Sequence, residues 1–290
     1  MNSTLFEDET TPEMTISAIL PWFGGKRTLA PKIVQELGKH SGYWEPFCGS
    51  LAVLLAKPES SHETVNDLHG DLINLARVIA DDSLYLQLYD RASRVLCDEK
   101  RRNESINALR SSTTPVDRAF HYFVIQWMGR NGFSGTVGCE KSSFAVRWTP
   151  NGGHGGQRFA SAVNSIPAWH ERLRRVTILQ RDAFEVIDKI NDQPKVSIYV
   201  DSPYIVKNAT YEHDFTPADH KRLAASLARF KEARVVVSYY AHPDLETLYP
   251  RNQWTHRDCT MNKGLHNAGK RGTTGKAAPE VLIINGESFA

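Results

Sequence analysis

The sequence lacks the features that mark secreted, membrane-spanning or zinc-binding proteins. Its four cysteines, at positions 48, 97, 139 and 259, include no Cys-x-x-Cys pair, which argues against a disulfide framework and against zinc and suits a reducing cytosol. No apolar run approaches the roughly 20 residues that span a bilayer. Residues 1–14 carry acids and no basic residue, so they are not a signal peptide. We therefore expect a cytoplasmic protein with no membrane segment and no metal, and a disordered acidic lead-in over residues 1–14.

Two nucleotide-binding fingerprints are also missing. The chain has no G-x-G-x-x-G motif, so a dinucleotide is not indicated, and no Gly-Lys-Ser/Thr of a P-loop at the right spacing. Apolar residues make up 41% of the chain and charged residues 23%, which is ordinary for a soluble globular protein. The 290 residues have room for one large domain with a sizeable insertion.

Positive charge is concentrated in two regions, although the net charge is only +2. Residues 86–168 hold 11 Lys/Arg against 6 Asp/Glu, and residues 251–276, a predicted glycine-rich loop, hold 6 against 1. Two basic regions on a near-neutral chain favour a polyanion that is met on one face of the protein. Two solvated basic loops would give the same pattern.

Apolar runs and helical patterns alternate along the chain and predict a doubly wound α/β sheet. The predicted strands include 64–66, 176–179, 198–200, 235–237 and 281–284, after a first short strand that begins at Tyr43. Acids lie at or just beyond four strand ends, at Glu45, Asp67, Asp182 and Asp201. Because ligands of open α/β sheets bind along the carboxyl edge of the strands, these acids predict a site there.

The stretch 197–204, S-I-Y-V-D-S-P-Y, brings three kinds of polar group into one short turn. A buried strand ends on Asp201, and Ser202-Pro203 forces an extended turn because the residue before a proline avoids the helical region. Tyr204 then lies at the mouth of the turn. A ring that stacks on a planar base, with a carboxylate and a carbonyl that accept two amino hydrogens, suits a base with an exocyclic amino group. A strand end followed by an ordinary β-turn has similar composition.

Residues 19–26 have the sequence I-L-P-W-F-G-G-K and precede a helical pattern over 28–37. Gly24 and Gly25 allow the backbone to approach a ligand closely. Lys26 and the start of the helix can hold an anionic group, although a plain loop that leads into a helix has the same composition.

Residues 43–53, Y-W-E-P-F-C-G-S-L-A-V, predict a short strand, a glycine turn and a helix from Leu51. This is the layout of a nucleotide-type site at the first strand of a doubly wound sheet. Glu45, before the turn, can accept a hydrogen bond from an ammonium group. Asp67 follows the next strand, where an acid can take both hydroxyls of a ribose, and Asp71 is expected to cap a helix.

The segment 83–168 differs in character from the rest of the chain. Apolar residues at helical spacing from Tyr85 to Leu96 predict a buried stripe, and Thr114, before a proline, predicts the start of a helix whose aromatic residues face the core. A glycine-rich stretch over 129–156 then carries basic and aromatic residues on a hairpin predicted near 143–148. Such a hairpin suits insertion into a groove or stacking on unpaired bases.

Six motifs, which occur along the chain in the family's order, resemble those of the Dam-type, or D12 class, DNA adenine-N6 methyltransferases, which use S-adenosylmethionine. The motifs that resemble the family's cofactor motifs are P-W-F-G-G-K (21–26), E-P-F-C-G-S (45–50), N-D with D-L-I-N (66–67 and 71–74) and R-D-A-F (181–184). Two further motifs are similar to the family's target-base motifs. D-S-P-Y (201–204) matches the catalytic D-P-P-Y, and S-Y-Y (238–240) resembles a later motif that helps wall the target-base pocket. The likeness spans residues 19–285.

The resemblance implies an α/β, Rossmann-like S-adenosylmethionine-dependent methyltransferase fold with a helical and β-hairpin insertion. The catalytic domain is expected over 15–82 and 169–290, and the target-recognition insertion over 83–168. The implied catalytic residues are Asp201, Ser202, Pro203 and Tyr204. The implied cofactor-binding residues are Trp22, Gly24, Gly25, Lys26, Glu45, Pro46, Phe47, Gly49, Ser50, Asp67, Asp182 and Asp201. The residues expected to contact double-stranded DNA, on which the chain would act as a monomer or weak dimer, are Arg130, Asn131, Lys141, Arg147, Arg158, Lys270 and Arg271.

Two departures from the family pattern leave alternatives open. Ser202 stands where the family usually has proline, and its backbone carbonyl can still accept a hydrogen bond, from a looser turn. Because cytosine-N4 methyltransferases have S-P-P-Y-like tetrads, cytosine is an alternative substrate, although Asp201 favours adenine. The insertion keeps R-N-G-F-S-G (130–135) but not the family's usual hairpin sequence after it, so recognition of GATC is not implied.

Two further alternatives concern the reaction itself. A DNA-binding protein that has lost catalysis would keep the fold, but the retained cofactor-site acids argue against it. An enzyme that acts on RNA or on a protein glutamine would use a related tetrad, and the basic hairpin favours duplex DNA over both.

Overall fold

A computed structural model describes residues 16–22, 24–130, 142–146, 154–205, 214–259 and 279–290. Its strands are β1 (Gly42–Glu45), β2 (His62–Asn66), β3 (Thr177–Leu179), β4 (Val196–Val200), β5 (Arg234–Tyr240), β6 (Thr255–Asp258) and β7 (Glu280–Ile284). Within the described residues they form one sheet in the order β3-β2-β1-β4-β5-β7-β6. Neighbours from β3 to β5 pair in parallel, and β7 runs antiparallel between β5 and β6. The predicted doubly wound α/β sheet is confirmed.

The same residues form ten helices. These are α1 (Ala30–Leu37), α2 (Ala52–Ala56), α3 (Gly70–Ala80), α4 (Leu84–Ser93), α5 (Glu99–Ser111), α6 (Pro115–Met128), α7 (Gly155–Leu173), α8 (Ala183–Lys189), α9 (Pro217–Leu227) and α10 (Leu245–Leu248). The run from α4 to α7 lies between β2 and β3 in the chain and contains the predicted insertion.

Capping side chains fix the starts of three helices. Thr114 accepts a hydrogen bond from the first turn of α6, Thr216 and Asp219 form a capping box on α9, and Asp182 caps α8. Each cap replaces a partner that the first helical N–H groups lack within the helix. Asp182 is thereby held at the carboxyl edge of the sheet, where the sequence predicts it.

The central strands β4 and β5 are buried along nearly their whole length, as expected for parallel strands that are covered on both faces. Val235 and Val237 pack on one side with Phe184 of α8. Val236 packs on the other side with the core that also contains Phe123 of α6. The alternation along β5 thus places one helical layer on each face of the sheet.

The helices of the insertion share the core of the sheet domain. The Trp127 indole of α6 donates to the Ile19 carbonyl at 3.1 Å, and the Trp169 indole of α7 donates to the Ile16 carbonyl at 2.7 Å. Because α7 runs without a break from Gly155 to Leu173, the domain division predicted at residue 168 falls inside a helix. The segment that contains α6 and α7 is therefore anchored on residues 16–19 by buried aromatic residues.

Three local predictions are wrong. Part of the predicted loop 251–276 forms the edge strand β6, whose polar T-H-R-D sequence carries no apolar alternation because it pairs on one side only. Leu96 is 83% exposed, since α4 ends at Ser93 and the helical stripe stops with it. His69, not Asp71, caps α3, and the Asp71 carboxylate instead pairs with Arg118 of the insertion.

Some predicted features lie outside the described residues. They are the lead-in over 1–14, residues 147–148 of the predicted hairpin, residues 260–276 of the basic loop, and Asn131, Lys141, Arg147, Lys270 and Arg271. No helix in the described ranges is both long and apolar enough to cross a membrane. The His, Cys, Asp and Glu side chains of the described residues include no group of three suited to hold a metal ion.

Candidate active site

The predicted tetrad begins directly after β4, and its carboxylate forms part of a buried ion cluster. Lys26 Nζ lies 3.0 Å from an Asp201 carboxylate oxygen and 3.3 Å from a Glu280 carboxylate oxygen. The same ammonium group donates to the Gly24 carbonyl at 2.7 Å. The glycine turn near residue 24, the end of β4 and the start of β7 therefore meet at one point.

Burial and neighbouring charges set the protonation of this cluster. Burial raises the pKa of Asp201 to about 6, Lys26 opposes the rise and Glu280 adds to it. Burial by itself would lower the pKa of Lys26, but the two carboxylates hold it above its ordinary value. At neutral pH Lys26 is thus charged and Asp201 is ionised, close to the point where it takes up a proton.

Tyr204 is held at the mouth of the cluster by its hydroxyl group. That hydroxyl donates to Glu280 at 2.7 Å, and burial raises the pKa of Tyr204 well above its ordinary value. Its ring lies edge-on to Tyr240, with centroids 4.6 Å apart, and Lys26 Nζ is 5.0 Å from its centroid. The ring is half-buried, so part of its surface is open for stacking.

The Ser202 side chain anchors the tetrad turn through a buried hydrogen bond. This side chain is buried and donates to the Tyr239 hydroxyl at 3.0 Å, and that hydroxyl lies 3.1 Å from Nδ1 of His220 on α9. Burial raises the pKa of Tyr239 to about 12, so Tyr239 keeps its proton and can donate to His220 while it accepts from Ser202. This network replaces by hydrogen bonds the stiffness that a proline would give the turn.

A second buried acid follows β1. Glu45 accepts from the Tyr43 hydroxyl at 2.8 Å, and burial raises its pKa to about 8. Pro46, the next residue, accepts from the Asn66 amide at 3.0 Å, while Phe47 packs its ring against Phe215. The predicted ammonium-accepting glutamate is therefore mostly protonated at neutral pH when no cation is beside it.

The glycine turn after β1 is built for close contact. Gly49 has a φ of 44°, a left-handed conformation that favours glycine, and a side chain there would lie 3.1 Å from the indole nitrogen of Trp22. Its N–H donates to Asp67 at 2.9 Å. At Gly25, a side chain would lie 3.0 Å from the Trp22 carbonyl. Ser50 closes the turn by accepting at its carbonyl from the Ile19 N–H at 3.1 Å.

Asn66 links the two remaining predicted acids. Its amide oxygen accepts from the Arg181 N–H at 2.9 Å, and its amide nitrogen donates to the Arg181 carbonyl at 3.0 Å. Asp67 follows Asn66, and Asp182 follows Arg181, so this double hydrogen bond holds the two acids at neighbouring strand ends. Beside Asp182, Phe184 stacks on Phe215, with ring centroids 5.7 Å apart.

The two described residues of the predicted DNA-binding set lie on the insertion. Arg130 is exposed just beyond α6, and its N–H donates to the Ser143 carbonyl at 3.1 Å. The Arg158 guanidinium group lies 5.8 Å from the centroid of the Trp127 ring. Both therefore lie on the segment that the sequence assigns to DNA binding.

Sequence reasoning missed several residues that build the site. Glu280 is the first residue of β7, which runs antiparallel to its neighbours, so no motif marks it. His220 and Phe215 lie near the start of α9, and their ring centroids are 5.4 Å apart. Buried Arg102 donates to Ser142 at 2.9 Å and ties residues 142–146 to the end of α6; a lone arginine in a charged helix gives no such signal.

Comparison with known proteins agrees with the site. A family model described as D12 class N6 adenine-specific DNA methyltransferase matches residues 22–262. The retron Ec67 DNA adenine methylase of Escherichia coli is 27% identical over 278 residues, covering 93% of this chain and 92% of that protein. The DNA adenine methylase of Vibrio cholerae is 24% identical over 276 residues, covering 92% of this chain and 95% of that protein.

Solved structures add little to this. Precorrin 8W decarboxylase of Methanobacterium thermoautotrophicum shares 12% identity and aligns with a TM-score of 0.38 over 90% of this chain and 89% of that one, a likeness too weak to carry a conclusion. The family match covers most of the chain and confirms both the resemblance and the Rossmann-like methyltransferase fold. The chain therefore belongs to the D12 class of N6 adenine-specific DNA methyltransferases and is an enzyme that methylates adenine in DNA.

Proposed function

We propose that Asp201, Ser202, Pro203 and Tyr204 form the turn at which a methyl group passes from S-adenosylmethionine to N6 of an adenine flipped out of duplex DNA. The observation that carries this assignment is the partly buried Asp201 carboxylate, which lies at the carboxyl edge of the sheet beside the half-buried Tyr204 ring. A planar base that stacks on this ring brings its amino group to the carboxylate.

The donor set around the glycine turns fits S-adenosylmethionine. Glu45 suits the ammonium group of its methionine part, and Asp67 suits the two ribose hydroxyls. Asp182, at the next strand end, suits the amino group of the cofactor adenine. The residues that would line the methionine end are Trp22, Gly24, Gly25 and Lys26, and those of the turn are Pro46, Phe47, Gly49 and Ser50. When bound, S-adenosylmethionine supplies an electrophilic methyl group on a sulfonium.

The tetrad makes the target nitrogen a better nucleophile by positioning it. The N6 lone pair of adenine is delocalised into the ring, so the nitrogen is a weak nucleophile in the free base. If Asp201 and the Ser202 carbonyl accept the two amino hydrogens, the lone pair turns out of the ring plane toward the methyl group. Orientation of this kind is worth at most about 7–11 kcal/mol of the barrier.

The reaction also requires an acceptor for the proton that N6 loses and a contact that stabilises the flipped base. As N6 gains the methyl group it gains positive charge, and its surplus proton passes to the Asp201 carboxylate and then to solvent. Flipping the base out of the duplex costs a few kcal/mol. Stacking on Tyr204 offsets this by about 1–3 kcal/mol.

Double-stranded DNA is the proposed partner, bound by a monomer or weak dimer. Support comes from the basic excess of residues 86–168 and 251–276, which favours contact with phosphates. The proposed contacts are Arg130, Asn131, Lys141, Arg147, Arg158, Lys270 and Arg271. Substitution of a phosphate-contacting residue weakens binding of all sequences alike and reduces its salt dependence.

The test is product analysis with a matched pair of variants. The protein is incubated with S-adenosylmethionine and unmethylated DNA, the DNA is digested, and the nucleosides are identified by mass spectrometry. We expect N6-methyladenine from the wild type and from Asp188→Asn, an exposed aspartate on α8, and none from Asp201→Asn. N4-methylcytosine as the product, or an active Asp201→Asn variant, would contradict the proposal.

A further inference from the structure

Glu280 is a buried acid that the sequence motifs do not include. It is the first residue of β7 and pairs in register with Tyr240 of β5. Because β7 runs antiparallel to β5, the start of β7 lies at the edge of the sheet where β4 and β5 end. The reversed strand thus delivers a carboxylate to the carboxyl edge of the parallel strands.

At this edge the Glu280 carboxylate has two partners of different kinds. One oxygen lies 3.3 Å from Lys26 Nζ, and the same oxygen accepts from the Tyr204 hydroxyl at 2.7 Å. Lys26 in turn lies 3.0 Å from Asp201. Glu280 therefore contacts one proposed catalytic residue, Tyr204, directly and reaches a second, Asp201, through Lys26.

The charge of the cluster depends on Glu280. Lys26 contributes one positive charge, and Asp201 and Glu280 contribute two negative charges, so the ionised cluster is net negative. Without Glu280, the ammonium group would balance Asp201 alone and leave the site neutral. A net negative site favours the positive charge that develops on N6 during methyl transfer.

We propose that Glu280 is a positioning residue for methyl transfer: it shares the charge of Lys26, so that the cluster beside the target amino group stays net negative, and it fixes the Tyr204 hydroxyl. This inference rests on the proposed role of Asp201 and Tyr204. Glu280 itself does not touch the reacting atoms.

The electrostatic setting of Asp201 makes the role measurable. The titratable and charged groups that act on it are Lys26, Glu45, Tyr199, Tyr204, Tyr239 and Glu280. Within this set Lys26 lowers the pKa of Asp201 and Glu280 raises it. Removal of either charge therefore moves the acid limb of the activity profile, and the two removals move it in opposite directions.

Glu280→Gln separates the charge from the hydrogen bond, because the amide oxygen still accepts from Tyr204. We expect kcat to fall on the order of 10²-fold, with the acid limb of kcat/KM moved to lower pH and cofactor affinity unchanged. Tyr204→Phe removes the hydroxyl but keeps both charges, so it should cost less than about tenfold. Because the hydroxyl also hydrogen-bonds Asp201 and lowers its pKa, this variant should move the acid limb to higher pH, opposite to Glu280→Gln. Glu287→Gln, an exposed residue beyond the other end of β7, is the matched control and should match the wild type.

Lys26→Gln should move the acid limb to higher pH, whereas a general loosening of the site would move both variants the same way. Thermal unfolding of each variant excludes loss of fold. An active Asp201→Asn variant would overturn the assignment of the tetrad and this inference with it. An inactive Asp201→Asn variant together with wild-type kcat and pH profile in Glu280→Gln would overturn this inference alone.

Discussion

Two of the buried ion clusters among the described residues have opposite compositions. In the active-site cluster one cation, Lys26, faces the carboxylates of Asp201 and Glu280. In the second cluster one carboxylate, Glu63 of β2, faces Lys57 and Arg172. The side chain of Asp201 is 22% exposed, whereas that of Glu63 is 3% exposed.

The difference distinguishes a carboxylate that stabilises the fold from one that we propose takes part in the reaction. Glu63 accepts from Arg172 at 2.5 and 2.8 Å, from Lys57, and from the Ser60 N–H at 3.1 Å. These bonds hold the pKa of Glu63 below its ordinary value although burial opposes them. Asp201 keeps accepting capacity and a raised pKa. A saturated carboxylate ties α7 to the sheet, whereas Asp201 keeps capacity to accept from the substrate that we propose for it.

The largest effect should come from breaking the saturated cluster. Glu63→Ala leaves Lys57 and Arg172 as buried charges without their carboxylate, so we expect the free energy of unfolding to fall by about 3–5 kcal/mol. Denaturant unfolding measures this. Glu59→Ala removes an exposed glutamate that pairs with Arg175 and should change stability by less than about 1 kcal/mol. Equal losses in the two variants would contradict the distinction.

Asp201→Asn should abolish methylation yet raise stability at pH 7 by about 1 kcal/mol. The folded pKa of Asp201, about 6, lies above its unfolded value, so ionisation disfavours the folded state. Relative to the variant, the wild type should therefore lose stability as pH rises from about 4 to about 6, with no further change above. Unfolding measured across this range tests the sign, and a variant less stable than the wild type at pH 7 would refute it.

The acids at the strand ends could be predicted from sequence, whereas the long-range ion pairs of the two clusters could not. The acids Asp67, Asp182 and Asp201 follow apolar strands, and parallel strands bring their carboxyl ends to one edge, so their meeting could be predicted. The cap at Thr114 was an equally local signal. In each case the residue and its structural reason lie within a few positions of one another.

Glu280 and the polar edge strand β6 could not be predicted in this way. Glu280 lies 76 residues after its partner Tyr204, and an acid before a strand lies at the wrong edge unless the strand is known to be reversed. The burial of Arg172 against Glu63, 109 residues away, depends likewise on where α7 packs. Long-range pairs of single charged residues carry no periodicity.

The Ser202 network predicts a smaller effect on rate. Tyr239→Phe removes the acceptor of the Ser202 hydroxyl, so the turn loosens, and we expect single-turnover methylation to slow about tenfold, equivalent to about 1.4 kcal/mol. In a Ser202→Pro background the turn no longer depends on that bond, and Tyr239→Phe should be nearly neutral. Four rates form a double-mutant cycle. The same slowing in both backgrounds would show that Tyr239 acts by packing alone.

Glu45 gives the smallest expected effect, because it changes only the number of protons that are released when the cofactor binds. Its pKa of about 8 makes it about nine-tenths protonated at pH 7, and an ammonium group bound beside it would lower that pKa and release the proton. We expect the enthalpies of S-adenosylmethionine binding, measured by calorimetry in phosphate and in Tris, to differ. The difference should equal the difference between the ionisation enthalpies of the two buffers, multiplied by nearly one proton. Glu45→Gln should erase the difference. Identical enthalpies for the wild type in both buffers would place the ammonium group elsewhere.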